Sequence, residues 1–272
     1  HPAHPGTNAL VSSAILKAAQ KNDLPEGVYS ALLDNGFQTG TQLVKHAGVK
    51  AVAFTGSLNG GMALYRAAVE RPDPIPVFAE RGSGNPVFIM PEQLAQNATT
   101  MAQQMAASVT LGAGQFCTNP GLIFVIDDPA AESFAQSLET AMLATEANTM
   151  LHEGIFHNYE AGKQRLLGAD GVQGVSQTAD EQWAGQPAVA QTTAEQFIQN
   201  PGLHEEIFGP LTLLVRCRDY AEMQQAAAQL AGQLTATIFG PEAQLPKWQE
   251  LMAILDQRVG RLIFNGVPTG VE

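Results

Sequence analysis

Only two cysteines occur in the 272-residue chain, and one of them stands where a nucleophile would be presented. Cys117 lies within Gly112-Ala113-Gly114-Gln115-Phe116-Cys117-Thr118-Asn119-Pro120-Gly121. Glycines at 112 and 114 let backbone approach a ligand with no Cβ in the way, and Pro120-Gly121 stops the segment before the apolar run Leu122 to Ile126. A thiolate displayed in this way adds to electrophilic carbon. The competing reading is that Cys117 fills a small hole in a core, as many cysteines do.

A nucleophile of this kind needs a partner base, and one acidic residue that stands out by its setting is Glu80. It follows the apolar run Ile75-Pro76-Val77-Phe78-Ala79 and precedes Arg81-Gly82-Ser83-Gly84-Asn85-Pro86, so it stands at a strand end, where α/β folds put their chemistry. The blander reading of Glu80 is a salt bridge to Arg71 or Arg81, or a solvated loop charge. Gly56-Ser57-Leu58-Asn59-Gly60-Gly61 marks a strand giving way to a helix, whose free amides and positive end suit a phosphate. It matches neither G-x-G-x-x-G nor a P-loop, so Ser57 as a plain N-cap is the alternative. In Leu203-His204-Glu205-Glu206-Ile207-Phe208-Gly209-Pro210, two carboxylates beside an aromatic ring and a Gly-Pro turn can grip a polar ligand, or form an acidic turn with Phe208 tucked into the core.

Other chemistries find less support. His152, Glu153 and His157 do not make a metal site, because an i to i+5 spacing separates the imidazoles on a helix and no Cys or carboxylate set joins them. No metal is expected. They read as surface or interface histidines, and Cys217, without a base or glycine loop, reads as structural. The 26 acidic against 14 basic residues give a net charge of −12, which opposes binding to a phosphate backbone. Nucleic acid is therefore excluded as an expected partner. No run of about 18 apolar residues stands in the chain, and two cysteines in this length fit a reducing compartment, so a cytoplasmic protein without a membrane span is expected.

The elements that must position these residues alternate. A helix capped by Thr7 or Asn8 is predicted first, then a short strand at 28–33, a helix at 39–46, a strand at 50–54, a helix at 62–70 and a strand at 75–79. A long helix at 91–111 leads to the Cys117 loop, followed by a strand at 122–126 and a helix at 129–143. The stretch 150–191 reads as polar and irregular, apart from a short strand at 187–192. Strands at 211–215, 234–239 and 261–265, with helices at 221–230 and 246–257, complete the pattern. Such β-α-β alternation predicts an α/β fold of parallel strands with crossover helices.

The order of the motifs is more specific than any one of them. Phe54-Thr55-Gly56-Ser57, then Glu80 with Gly82, then Gly114-Gln115-Phe116-Cys117, then Glu205-Glu206-Ile207-Phe208-Gly209-Pro210 resembles the aldehyde dehydrogenase superfamily over nearly the whole chain. Pro76 to Glu80, Asn85-Pro86-Val87-Phe88 and Gly114 to Gly121 are similar to one branch of it, that of the α-ketoglutarate semialdehyde (2,5-dioxopentanoate) dehydrogenases and a related NADP-dependent long-chain aldehyde dehydrogenase. Arg81 and Gly84 depart from the commoner residues of that branch.

The resemblance implies a partial Rossmann-like cofactor domain over residues 1–79 and an α/β catalytic domain of the aldehyde dehydrogenase type over 80–272. It makes Cys117 the nucleophile and Glu80 the general base. Ser57 becomes the pyrophosphate contact, Glu206 the acceptor for the nicotinamide ribose and Phe208 its packing partner, with Gly56, Gly61 and Gly82 also on the cofactor, NADP or NAD. It further implies an aldehyde substrate, a homodimer or homotetramer, and a fragment, since the family's oxyanion-hole asparagine and ribose-reading lysine would stand before His1. Three functions stay open: oxidation of an α-ketoglutarate semialdehyde or a fatty aldehyde, an inactive folded piece of such an enzyme, and a cysteine hydrolase pairing Cys117 with a histidine.

Overall fold

The computed structural model describes residues 3–176 and 182–270, so Val271 and Glu272, with which the expected catalytic domain ends, and His1 and Pro2, with which the cofactor domain begins, lie outside the described residues. The chain divides into two compact units, His1–Arg81 and Gly82–Glu272. The division falls two residues after the 79/80 boundary expected from the sequence, because Glu80 and Arg81 still pair with a neighbouring strand.

The first unit holds α1 (Pro5–Lys21), α2 (Gln38–Lys45), β1 (Val52–Gly56), α3 (Leu58–Val69) and β2 (Val77–Arg81). Proline opens α1, where its missing N–H costs nothing, and neither Thr7 nor Asn8 serves as the cap. β1 and β2 pair in parallel, with Thr55 beside Glu80, and α3 is the crossover between them. The predicted strand at 28–33 does not form. Val28, Leu32 and Leu33 are exposed in irregular chain, and an apolar run without a strand to pair with has nothing to hold it extended. Of the hydrophobic side chains in this unit only Ala19, Val44 and Ala68 are buried among the described residues.

The second unit is built on a parallel sheet with one antiparallel edge. Its elements are β3 (Val87–Ile89), α4 (Pro91–Thr110), β4 (Leu122–Ile126), α5 (Pro129–Leu143), β5 (Asn148–Thr149), α6 (Glu153–Leu167), β6 (Gln173–Ser176), β7 (Ala184–Gly185), β8 (Ala188–Thr193), α7 (Ala194–Gln199), β9 (Leu211–Cys217), α8 (Tyr220–Gln229), β10 (Gln233–Phe239), α9 (Gln249–Asp256) and β11 (Val259–Phe264). The sheet runs β11-β10-β3-β4-β9-β8-β6, with β6 antiparallel to β8. Strands buried on both faces read as continuous apolar runs, which is why Leu122 to Ile126 was legible. Alternate residues enter two cores. Phe88, Leu122, Phe124 and Leu213 join Phe197, Met223 and Leu251 on one face, while Val87, Ile89, Ile123 and Val125 join Met101, Met105, Phe134 and Leu138 on the other. Phe88 stacks on Phe124 at 4.7 Å between centroids, and Phe197 meets Phe124 edge-on at 5.3 Å.

Several elements of this unit depart from the sequence expectation, β5, β6, β7 and α7 among them. The stretch at 150–191 contains α6, whose Gly154, Gly162 and Lys163 dilute the apolar stripe that Tyr159 and Leu166 nevertheless bury. His152 caps that helix, its Nδ1 accepting the Ile155 amide at 3.3 Å, and His157 pairs with Glu153 one turn later. β3 is only three residues long and hidden by its flanking prolines. The helix expected at 246–257 is a 3₁₀ segment, Glu242–Trp248, followed by α9, because Pro246 cannot donate within an α-helical turn. Cys217 ends β9 fully buried, and burial pushes its thiol up. No helix of the described residues is long and apolar enough to cross a membrane.

Candidate active site

In the first unit, β1 delivers Gly56 at its end and Ser57 caps α3, its Oγ accepting the Gly60 amide at 3.2 Å. Gly61 is buried in the first turn of that helix, and the Gly61 amide reaches the Ser57 carbonyl at 3.0 Å. Ser57 itself is exposed, so the positive end of a 12-residue helix opens to solvent. Glu80 is exposed on β2 and stands level with Thr55. The parallel register thus brings the carboxyl ends of β1 and β2 together, with Gly56, Ser57 and Glu80 on neighbouring strand ends.

In the second unit the placement is the reverse. Gly82 to Asn85 lead into β3, Cys117 to Gly121 into β4, Glu206 to Pro210 into β9, and Gln233 begins β10. These four strands are adjacent, so their amino ends converge on one rim of the sheet. Glu80 thus lies at the carboxyl end of its strand, whereas Cys117 precedes the amino end of β4. The reason is local: α4 runs the length of the sheet and returns the chain to the starting rim before β4 begins.

The thiol loop is an unusual backbone. Gly112, Ala113 and Gly114 all take left-handed conformations, with φ of 57°, 56° and 66°. Two of the three are glycines, for which the region is free; Ala113 is held there at a cost of about 1–2 kcal/mol. A turn then closes from the Asn119 amide to the Phe116 carbonyl at 3.1 Å, with Cys117 inside it and exposed. The hole-filling alternative for Cys117 is therefore set aside, since Thr118 and Asn119 are the buried members of the turn.

Side-chain amides fasten this turn to its surroundings. Asn85 Nδ2 donates to the carbonyls of Cys117 and Asn119, both at 2.9 Å. Asn119 Nδ2 donates to the Gly209 carbonyl at 3.0 Å, and Gln115 Oε1 accepts the Leu151 amide at 2.8 Å. Gly114 packs directly on the backbone of Gly209 and Pro210, where a Cβ would overlap the Gly209 carbonyl carbon. The cleft beside these contacts is lined by Ser83, Asn119, Glu206, Ile207 and Phe208 among others.

Glu206 arches back over Gly82, leaving no space for a Cβ there. Although the residue has substantial open surface, the protein atoms around its carboxylate remove water from it and raise its pKa, while the Ser83 amide pulls the other way. Phe208 is half-buried at the cleft wall. Gly82, Cys117, Glu206 and Phe208 are thus in one unit and held through shared neighbours. Among the described residues no group of three or more His, Cys, Asp or Glu could hold a metal ion.

An open helix end with a hydroxyl fits phosphate, and a carboxylate rising over a glycine fits sugar hydroxyls. Sequence reasoning assigned no role to Asn85, Asn119 or Gln233, and where it expected a ligand to approach Gly114 the structure places the backbone of Gly209 and Pro210. An amide directly before proline, in Asn85-Pro86 and Asn119-Pro120, was the available signal for two of them; nothing local marked Gln233.

The Aldehyde dehydrogenase family profile matches residues 4–271. The chain is 42% identical over its whole length to alpha-ketoglutaric semialdehyde dehydrogenase 2 of Azospirillum brasilense, and 40% identical to the alpha-ketoglutaric semialdehyde dehydrogenase of Acinetobacter baylyi. It spans about half the length of these relatives, 52% in both cases. In fold it is similar to the crystal structure of an NAD-dependent benzaldehyde dehydrogenase from Corynebacterium glutamicum, with a TM-score of 0.75 at 21% identity, covering 90% of this chain and 53% of that one.

Proposed function

The chain belongs to the aldehyde dehydrogenase family, and from that premise we propose that its parent polypeptide oxidises an aldehyde to a carboxylic acid through Cys117. The observation that carries this reading is the exposed thiol in a turn fastened to the segment that bears Glu206 and Phe208. Identity of 42% and 40% to two semialdehyde dehydrogenases supports α-ketoglutarate semialdehyde as substrate; a long-chain fatty aldehyde is the second candidate.

In this reading the Cys117 thiolate adds to the carbonyl carbon, forming a C–S bond as the π pair moves to oxygen. The Cys117 amide contributes to the stabilisation of that oxyanion. Oxidation of the adduct to a thioester is the chemistry for which a nicotinamide dinucleotide, NADP preferred, supplies the hydride acceptor. Glu80 takes a proton from the water that attacks the thioester; the C–S bond breaks, the acid leaves and the thiolate returns. Ser57 and the first turn of α3, with Gly56 and Gly61, receive the pyrophosphate, Glu206 over Gly82 accepts from the ribose and Phe208 packs beside it. Residues 1–79 take the cofactor role and 80–272 the catalytic one. A cytoplasmic homodimer or homotetramer is the assembly proposed, by kinship.

The test is a comparison of kcat/KM for α-ketoglutarate semialdehyde and a long-chain fatty aldehyde in the full polypeptide. A preference for the semialdehyde supports the substrate proposed, and a preference for the long chain rejects it. Cys117→Ala abolishes oxidation, and Glu80→Gln stalls the reaction as an acyl-enzyme visible by mass spectrometry; steady turnover by either variant rejects its assigned role.

A further inference from the structure

The segment Gly82 to Asn85 is fixed by a side chain far away in sequence. Gln233 Oε1 accepts the Gly84 amide at 2.6 Å, the Asn85 amide at 3.2 Å and the Ser83 hydroxyl at 3.0 Å. The same hydroxyl lies 2.8 Å from Asn85 Oδ1, which also accepts Thr235 Oγ1 at 3.1 Å. Asn85 is 1% exposed and left-handed, with φ of 43°, a conformation asparagine tolerates better than most residues. Its carboxamide is used on both ends: Nδ2 donates to the Ser83 carbonyl at 3.2 Å and, more closely, to the two carbonyls of the turn that contains Cys117. Gly121 adds a bond from its amide to the Gly84 carbonyl at 2.9 Å. One short segment therefore bears both the nucleophile's turn and, through the Ser83 amide and Gly82, the Glu206 carboxylate.

We propose that Asn85, set by Gln233, is a positioning residue for Cys117: its carboxamide grips the carbonyls on both sides of Thr118 and holds the thiol turn in a single conformation. This rests on the dehydrogenase reading only for its kinetic consequence. Neither residue touches the reacting atoms in that reading, so their effect is on alignment rather than on the chemistry itself. A nucleophile held in a near-attack arrangement loses rate when released, even where binding persists.

Two readouts in the full polypeptide test it. In the first, every cysteine outside these 272 residues is replaced by Ser, Cys117 carries a trifluoromethyl thiol label and is followed by fluorine NMR; Cys217 is buried and stays unlabelled. The unaltered protein gives a single narrow resonance. Asn85→Gly, which keeps the left-handed backbone and deletes the amide, gives a broadened or split one, as does Gln233→Ala, while Gln233→Glu, which retains an acceptor, restores the single line. In the second, Asn85→Gly and Gln233→Ala lower kcat about tenfold to hundredfold with KM within about twofold, and Gln233→Glu recovers most of the loss.

Single narrow lines in Asn85→Gly and Gln233→Ala overturn the proposal, as does failure of Gln233→Glu to restore the line lost in Gln233→Ala. Should Asn85→Gly not fold, the Gln233 pair decides alone, since that side chain is only half-buried. If the unaltered protein oxidises no aldehyde, the dehydrogenase reading falls while the NMR comparison still decides the positioning role.

Discussion

At the scale of single residues, Glu206 offers a test with a definite sign. Its folded pKa lies above that of the unfolded chain because nearby protein displaces water from the carboxylate. Between the two values the folded state holds a proton that the unfolded state has released, so stability falls as pH rises through the interval. In the role proposed for Glu206, only the ionised form has its full accepting capacity for ribose hydroxyls, so the proposal predicts a cofactor affinity that moves the opposite way and strengthens as pH rises. Glu206→Gln flattens both dependences. Denaturation and cofactor fluorescence titrations from acid to neutral pH measure them, and an undiminished slope in the glutamine variant removes Glu206 as their source. Cys217 is the contrasting case: its thiol sits in the core with its pKa pushed up, and it stays protonated and inert where Cys117 is open to reactants.

At the scale of elements, the left-handed run 112–114 sets where the thiol turn begins. Gly114→Ala adds a Cβ at a φ of 66° against the Gly209 backbone, at a cost on the order of 2–5 kcal/mol, which chemical denaturation reads directly. α6 offers a milder test. The Tyr159 hydroxyl donates to the Gln186 carbonyl, and Tyr159→Phe leaves that acceptor unmet, lowering stability by about 1–2 kcal/mol. These elements also show how legible the chain was. The continuous apolar run at 122–126 and the helical period at 129–143 ended where the structure ends them, Asp128 capping the second through the Ala131 amide. α6 was missed because glycines and a buried lysine break its stripe, and β3 because three residues carry no period at all. Cys117, Glu80 and Glu206 were legible as site candidates from their types and turns. Gln233 was not, because its role is conferred by a partner 149 residues away rather than by anything beside it in sequence.

For the whole molecule, the uneven distribution of core is the dominant property. Among the described residues both apolar clusters lie in 87–267, whereas the first unit buries three hydrophobic side chains and leaves Phe37 90% and Phe78 69% exposed. Hydrogen exchange on this chain is therefore expected to be fast throughout 3–81 and slow in β3, β4 and β9, because protection follows buried contacts. Slow exchange in β1 and β2 comparable to that of β4 contradicts the expectation. The bond from Gln233 to Gly84 has one more consequence, for a polypeptide still on the ribosome. The residues around Cys117 are made long before residue 233, so the acceptor that fixes residues 83–85 is missing for much of translation. Until β10 emerges and pairs with β3, the Gly84 and Asn85 amides lack their acceptor, and the Asn85 side chain that holds the carbonyls of Cys117 and Asn119 is not yet set in place.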